Sequence, residues 1–231
     1  IKGVEIKQDG KKKTVKCSRL ISSIPINSFI QCMNPGAADK VADALKKIKF
    51  RNQVYLFLTL NKERVSKDNW IYFPDKEIPI GRIHEPKNFS SKMSPAGKTS
   101  LFIEFFCFEN DEIWNMSKED LFNLAVKWLE KLDFIKKEEV IDYFVKKQQG
   151  VYPVYNLGYK EPLKILKDYL DGFENLIYIG RPGRFKYTNQ DHSIEMGVMA
   201  ARSIIDNKKY DIEKVGAGTE YFEKGYTPLK K

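Results

Sequence analysis

The sequence predicts an α+β fold, and the middle of the chain provides the clearest observations. Residues 54–60 and 101–108 are runs of aromatic and β-branched residues, which is typical of buried strands. Residues 117–132 carry apolar side chains at helical spacing, behind a serine that can cap the first turn. Because strands and a long helix occur in the same stretch, we expect a mixed sheet packed against helices.

The first residues predict a β-hairpin followed by a third strand. Val4 and Ile6 alternate with polar residues before an Asp9-Gly10 turn, and an apolar run at residues 20–24 comes after the return. Three consecutive lysines, at residues 11–13, stand directly after the turn. We interpret them as the solvent-exposed return of the hairpin and not as a nucleic-acid patch.

The chain between this hairpin and the last third predicts a helix, further strands and an extended connection. Val41, Leu45 and Ile48 form one stripe, which predicts a helix over residues 35–48. The other expected elements are short strands at residues 70–73, 80–83 and 140–145 and an extended segment at residues 150–158.

The last third predicts a short strand between two helices. Pro162 suits the first turn of a helix that ends at Gly172, and residues 176–179 are a short apolar strand. A polar loop then leads to a helix from about His192 to Ile205. The small residues of this helix, Gly197 and the alanines that follow, would let it lie close to a sheet or a bound ligand.

Composition excludes several classes of protein. With 40 Lys and Arg against 31 Asp and Glu, the chain carries a net charge of +9, and 42% of its residues are hydrophobic. No apolar run approaches the ~18 residues of a membrane span, so we expect none. Cys17, Cys32 and Cys107 are scattered, which argues against a disulfide framework and favours a reducing, cytoplasmic location. His84 and His192 lie far apart in the sequence, so no metal site is expected.

Charge alone leaves a basic nucleic-acid-binding module as one alternative. The lysines are spread over every segment and the aromatic residues fall in predicted buried strands, so no stacking platform is visible. Hydrolase motifs are also missing. The single Gly-x-Gly, at residues 216–218, lacks the third glycine of a dinucleotide fingerprint and the chain needed for a βαβ unit.

Residues 176–205 combine several features of a ligand site. A buried strand ends in Gly180, and Asn189, Asp191, His192 and Ser193 open the next helix. A helix N-terminus presents unpaired N–H groups and the positive end of the helix dipole, which suit an anion or an electron-rich carbonyl. Arg181 and Arg184 add positive charge, so a phosphate-bearing ligand would fit. The alternative interpretation is that Asp191 only caps the helix and both arginines are solvated.

These motifs resemble a known family. The stretches 150–159 (GVYPVYNLGY), 175–180 (NLIYIG) and 181–193 (RPGRFKYTNQDHS), with Gly197-x-x-Ala-Ala, look like the carboxy-terminal part of FAD-dependent amine oxidase and protoporphyrinogen oxidase-like proteins. The Gly-Arg-x-x-x-x-Lys-Tyr stretch is also similar to UDP-galactopyranose mutase. The opening hairpin with residues 20–25 (LISSIP) resembles the point where such chains leave the FAD domain.

The resemblance implies a domain organisation. Residues 1–30 would be a hairpin and return strand of a Rossmann-like FAD-binding domain, and residues 31–155 a substrate-binding domain with a mixed sheet. Residues 156–207 would be the carboxy-terminal strand and helix of the FAD domain, followed by a tail at residues 208–231. The amino-terminal half of the FAD domain would be missing, and the chain begins with Ile1, so we expect it to be a carboxy-terminal piece of a longer protein.

The resemblance also implies FAD as the cofactor of the whole protein, which this piece alone would not hold. Tyr155 and Tyr187 are candidates for contacts with a small-molecule substrate. No catalytic base can be assigned. An acidic residue often follows the strand glycine in amine oxidases, and Arg181 stands there instead, which favours the mutase-like and protoporphyrinogen oxidase-like branches. The residues expected to bind the cofactor are Gly180, Arg181, Asn189, Asp191, His192 and Ser193.

Overall fold

The computed structural model describes residues 1–216; the end of the predicted tail, residues 217–231, and Gly218 of the Gly-x-Gly lie outside this range. Helices account for 35% and strands for 28% of the chain, which confirms the α+β fold class. The chain divides into two compact units. One comprises Ile1–Lys49 with the chain from Tyr152 onward, and the other is Phe50–Val151.

The first unit opens with the predicted hairpin. Asp9 and Gly10 both have positive φ values, 50° and 77°, as a tight turn matched to the strand twist requires. The prediction of a helix over residues 35–48 is wrong at both ends, because Pro35 and Gly36 favour a turn and the helix begins only after Ala38. A helix that was not predicted starts after Pro25. The elements are β1 (Gly3–Gln8), β2 (Lys11–Lys16), β3 (Leu20–Ser22), α1 (Ile26–Gln31) and α2 (Asp39–Leu45).

The remainder of this unit is built around a parallel pair of strands, although the two strands are far apart in sequence. β3 pairs in parallel with β9, and these two strands form a sheet of their own within the described residues. Met196 and Ala200, both fully buried, pack beneath this sheet with Ile212 and Val215. The further elements are α5 (Lys160–Asp171), β9 (Leu176–Tyr178), α6 (Gly180–Arg184) and α7 (Gln190–Ile205).

The second unit contains a five-stranded sheet in the order β5-β6-β7-β4-β8. β5, β6, β7 and β4 are antiparallel neighbours. The elements are β4 (Lys49–Leu60), β5 (Trp70–Tyr72), β6 (Arg82–His84), β7 (Thr99–Cys107), α3 (Glu112–Asn115), α4 (Lys118–Lys131) and β8 (Val140–Val154).

Strand alternation places the core of this unit between the sheet and α4. Alternate residues of β4, from Val54 to Leu60, are fully buried and pack with Leu121 and Leu129 of α4. Ser117 caps α4 as predicted, because its Oγ accepts a hydrogen bond from the Asp120 N–H at 3.0 Å. One face of the sheet is therefore covered by the helix.

The end of β8 differs from the prediction. Residues 150–154 belong to the strand and not to an extended connection. Gly150 has a φ of 66°, which glycine adopts without strain, and its N–H donates to Asn52 Oδ1 at 3.0 Å. The strand therefore continues through the glycine, although the sequence predicted a strand that ends at residue 145.

Within residues 1–216, no helix is both long enough and apolar enough to cross a lipid bilayer.

Candidate functional site

The predicted site begins where β9 ends. Gly180 is buried with a φ of 78°, and its N–H points at the Met196 sulfur of α7 at 3.2 Å. The segment after it is the short helix α6 and not the expected loop, because Pro182 sits in the first turn, where a helix tolerates proline. A Cβ on Gly183 would lie 3.4 Å from the Ile24 carbonyl oxygen, so this turn lies tightly against the chain after β3.

Arg181 connects α6 to the segment before α7. Its Nε donates to the Thr188 carbonyl oxygen at 2.7 Å, and its Nη2 donates to the same oxygen. The guanidinium carbon lies 4.5 Å from the ring centroid of Tyr152 and 5.0 Å from that of Tyr187. Charge-assisted hydrogen bonds and ring contacts together fix this side chain.

The two tyrosines proposed for the substrate side lie together. The Tyr187 N–H donates to Tyr155 Oη at 2.6 Å, and both side chains are about half exposed. The Tyr155 ring stacks on Tyr159 at 4.7 Å and meets Phe185 edge-on at 6.0 Å. Burial of the hydroxyl raises the pKa of Tyr155 above its ordinary value. The fold thus brings Tyr155 next to the segment that Arg181 holds.

The start of α7 has a defined polar arrangement. Asn189 is the N-cap residue; its N–H donates to His192 Nδ1 at 3.2 Å and its carbonyl accepts from Ser193 Oγ at 3.1 Å. The alternative interpretation, in which Asp191 caps the helix, is therefore wrong. The half-exposed Asp191 carboxylate lies in the first turn, 3.9 Å from His192 Nε2, where the helix dipole favours a negative charge. A Cβ on Gly216 would lie 3.3 Å from the His192 ring, so this ring packs against the chain beyond α7.

Sequence reasoning missed Thr188, which directly precedes Asn189. Its side chain is fully buried, and its Oγ1 has no hydrogen-bond partner among residues 1–216. A buried hydroxyl without a partner is costly and rare in folded proteins. The signal that could have found it is its position, because it directly precedes the N-cap residue of the helix that was expected to bind the ligand.

Arg184 lies elsewhere, contrary to the expectation that it adds charge at the ligand site. Its Nε donates to Glu213 Oε2 at 3.0 Å, and its guanidinium carbon lies 4.2 Å from the Tyr178 ring centroid. Lys167 Nζ reaches the other Glu213 oxygen at 2.7 Å. Although burial acts in the opposite direction, the hydrogen bonds from Lys167 and Arg184 lower the pKa of Glu213 to about 2.

This ion-pair network lies in a groove of about 910 Å³ on the first unit. All three residues of β9 line the groove and none of β3 does, so the groove runs along the edge of β9 that faces away from β3. None of the eight residues predicted for cofactor or substrate lines it. Among the residues that the structure describes, no group of three or more His, Cys, Asp or Glu side chains is placed to hold a metal ion.

Comparison with solved structures finds the fold of this chain in three enzymes. The reduced form of UDP-galactopyranose mutase matches 90% of the chain at a TM-score of 0.74 and 19% identity. A putrescine oxidase variant with redesigned cofactor binding matches 89% at a TM-score of 0.60 and 15% identity. A protein assigned as a protoporphyrinogen oxidase from Exiguobacterium sp. 255-15 matches 77% at a TM-score of 0.58 and 15% identity.

The chain shares its fold with part of these flavoproteins. The resemblance seen in the sequence is therefore confirmed for the fold. The matches cover 46%, 46% and 40% of the mutase, the putrescine oxidase and the Exiguobacterium protein, so the chain spans less than half the length of each. No protein-family model and no curated protein sequence matches the chain.

Proposed function

We propose that the chain is part of an FAD-dependent oxidoreductase that transfers hydride from an organic substrate to the flavin. The observation that carries this proposal is the buried Thr188 hydroxyl beside the first turn of α7. A buried hydroxyl without a partner beside a helix N-terminus suits a ligand rich in carbonyl oxygens and ring nitrogens. The shared fold with flavoproteins and the motif at residues 181–193 support the choice of FAD.

The polar groups at the start of α7 and the open side of this helix suit the ring system of FAD. Thr188 Oγ1 and the first-turn N–H groups of α7 would hold polar ring atoms, while Arg181 fixes the backbone of Thr188. A Cβ added at Gly197 would meet no atom within 4 Å, so one side of α7 is open to a flat ligand. FAD supplies the hydride acceptor, and the protein contributes orientation and exclusion of water. Tyr155 and Tyr187 are proposed to contact the substrate.

Two features of the first unit support a further FAD-binding segment in the whole protein. Parallel sheets are normally larger than two strands and are covered on both faces, yet β9 has an open edge with a groove beside it. Ile194, Val198 and Ile205 form an exposed apolar stripe on α7. We propose that the first unit belongs to this segment and that Phe50–Val151 is the body of the substrate domain, inside the bounds 31–155 expected from the sequence.

A flavin-dependent sugar-nucleotide mutase is the second candidate. The mutase gives a TM-score of 0.74, against 0.60 and 0.58 for the two oxidases. Arg181 directly after the strand glycine favours the mutase-like and protoporphyrinogen oxidase-like branches over amine oxidases. The chemistry would then use the reduced flavin without net oxidation of the substrate.

The test compares the 231-residue chain with the protein encoded by the longest reading frame that contains it. We expect the longer protein to purify with the visible absorption of a flavin and the 231-residue chain to be colourless. A colourless longer protein would contradict the flavin proposal, and a yellow 231-residue chain would contradict the proposed missing segment. UDP-galactopyranose then separates the candidates, since isomerisation by the reduced protein without net oxidation supports the mutase and rejects the oxidoreductase.

A further inference from the structure

The net positive charge of the chain is unevenly distributed. The second unit, Phe50–Val151, carries 16 Lys and Arg and 16 Asp and Glu, so it is neutral. Residues 1–16 carry six lysines against Glu5 and Asp9, a net charge of +4 out of +9 for the chain. Nearly half of the excess charge therefore lies on the opening hairpin of β1 and β2, residues 1–16, which we call the basic ribbon.

The basic ribbon is exposed, and its base is held in place. β2 is exposed along its whole length, and so are the last four residues of β1. Asn175, just before β9, donates from Nδ2 to the carbonyl oxygens of Ile1 at 2.7 Å and Ser18 at 3.0 Å. Because an isolated two-stranded hairpin is only marginally stable in water, this anchor at both ends gives the ribbon a defined position on the first unit.

Strand register sorts the side chains of the ribbon onto two faces, because paired residues and alternate residues share a face. One face carries three cross-strand pairs: Val4 with Val15, Ile6 with Lys13, and Gln8 with Lys11. Ile6 and Val15 are 38% and 42% exposed, although both are apolar. This face is therefore apolar near the base of the ribbon and carries two lysines toward the turn.

The ribbon also places like charges next to each other. Lys7 pairs directly with Lys12, and like charges opposite each other destabilise a hairpin. Glu5 neutralises one of the two, since its carboxylate lies 2.9 Å from Lys12 Nζ. Lys7, Lys11 and Lys13 form no ion pair with any residue in the described range 1–216. The ribbon thus keeps unpaired positive charge at a cost in stability, which an anionic partner would relieve.

The residue types of the ribbon favour a lipid surface over a nucleic acid. Residues 1–16 contain no arginine and no aromatic residue, whereas base recognition relies on forked arginine donors and single strands on aromatic stacking. A nucleic-acid backbone also offers nothing to the exposed side chains of Ile6 and Val15. A bilayer accepts both features, because apolar side chains enter its interface while lysine stems carry their charges to the headgroups.

We propose that the basic ribbon docks on the surface of an anionic lipid bilayer through the face that carries Ile6, Val15, Lys11 and Lys13. The two lysines contact anionic headgroups, and the two apolar side chains enter the interface just below them. Docking also relieves the repulsion between the lysines near the turn. The proposal is independent of the proposed function, because it concerns an exposed surface and needs neither flavin nor substrate.

The test measures cosedimentation of the 231-residue chain with vesicles of phosphatidylserine and phosphatidylcholine in equal parts, and with vesicles of phosphatidylcholine alone. We expect binding to the mixed vesicles and at least about tenfold weaker binding to the neutral ones. Lys11→Gln together with Lys13→Gln should weaken binding to the mixed vesicles by about fivefold per lysine. Ile6→Gln should weaken it by about threefold or more, because an apolar side chain no longer enters the interface.

Lys118→Gln together with Lys127→Gln is the matched control, since it removes the same charge from exposed positions of α4 in the second unit. All the substituted residues are exposed, so unchanged thermal unfolding shows that the fold is intact. The proposal is overturned by equal binding to the two kinds of vesicle, by no binding to either, or by equal losses in the two double variants.

Two further measurements address other occupants of the ribbon. Tighter binding to an unrelated DNA duplex than to the mixed vesicles, at the same salt concentration, would overturn the proposal in favour of a nucleic acid. The longer protein that contains this chain should bind the mixed vesicles as the 231-residue chain does. A longer protein that does not bind them would also overturn the proposal, because another part of the protein would then cover the ribbon.

Discussion

Arg181 holds the carbonyl of Thr188 with two donors while the hydroxyl of the same threonine is buried without a partner in the described chain. One residue is thus fixed through its backbone and left unsatisfied through its side chain. Thr188 directly precedes the first turn of α7, so Arg181 determines where both the hydroxyl and the helix start lie. This makes Arg181 a positioning residue in addition to a source of charge.

Replacing Arg181 by Ala should therefore destabilise the chain before any cofactor is considered. The variant loses two charge-assisted hydrogen bonds and contacts with two tyrosine rings, and we expect the free energy of unfolding to fall by about 1–3 kcal/mol. Denaturant unfolding of the 231-residue chain measures this. Arg202→Ala, at an exposed position of α7, should change it by less than about 0.5 kcal/mol. Equal effects of the two changes would show that the Thr188 contact contributes nothing.

Gly197→Leu tests the open side of α7. Because a Cβ at this position meets no atom within 4 Å and glycine is a poor helix former, we expect the variant to stabilise the 231-residue chain by up to about 1 kcal/mol. In the flavin-loaded longer protein the same side chain should weaken FAD retention. Thermal unfolding and flavin release measure the two effects.

Gly180→Ala provides the contrast, since the positive φ of Gly180 makes any Cβ unfavourable and the variant should unfold earlier. A lowered unfolding midpoint for Gly197→Leu in the 231-residue chain would mean that this side of the helix is packed. Unchanged flavin retention in the longer protein would place the cofactor away from Gly197.

The ionised carboxylate of Glu213 should make the stability of the chain depend on pH. Its pKa falls from 4.5 to about 2 on folding, because Lys167 and Arg184 stabilise the ionised carboxylate. Its contribution is therefore complete above about pH 4.5 and is lost as the pH falls toward 2. We expect Glu213→Gln to unfold more readily than the wild type at pH 7 and the difference to shrink between pH 4.5 and 2.

Urea unfolding at a series of pH values measures this difference. Glu174→Gln, at an exposed position on the same groove, should leave the difference small at every pH. A gap between wild type and Glu213→Gln that stays constant down to pH 2 would refute an ionic origin.

Local signals in the sequence predict the local structure well. Ser117 and the apolar stripe behind it determine α4, and residues 189–193 do mark the start of α7. The sequence cannot show which residues meet across strands, because register depends on the packing of distant segments. One row of paired residues across the second unit's sheet draws one residue from each of four strands, and no short motif contains any two of them. The row is Tyr72, Arg82, Glu104 and Tyr55.

The same limit explains two of the errors, one at the candidate site and one in β8. Arg184 was expected beside Arg181, but its partner Glu213 lies 29 residues further along the chain. Residues 150–158 were expected to be an extended connection, whereas β8 continues through Gly150, whose N–H donates to Asn52 on a distant strand. Thr188 was missed because a threonine in a polar loop looks ordinary until its burial is known.

Thr188→Val tests the observation on which the proposed function depends. Valine has the same shape without the hydroxyl, so in the 231-residue chain it removes a buried polar group that has no partner among residues 1–216. We expect the free energy of unfolding to rise, by up to the 1–3 kcal/mol that such a group typically costs. In the flavin-loaded longer protein the same substitution should be unfavourable. FAD retention should weaken about fivefold or more, because one hydrogen bond to the cofactor is lost.

Thr188→Ser is the matched control, since it keeps the hydroxyl and should preserve retention. Denaturant unfolding of the chain and flavin release from the longer protein report the two effects separately. A destabilised Thr188→Val chain would mean that the hydroxyl already has a partner, and equal flavin retention in both variants would remove Thr188 from the cofactor site. A gain in stability together with a loss of flavin retention is the combination that a ligand-binding hydroxyl requires.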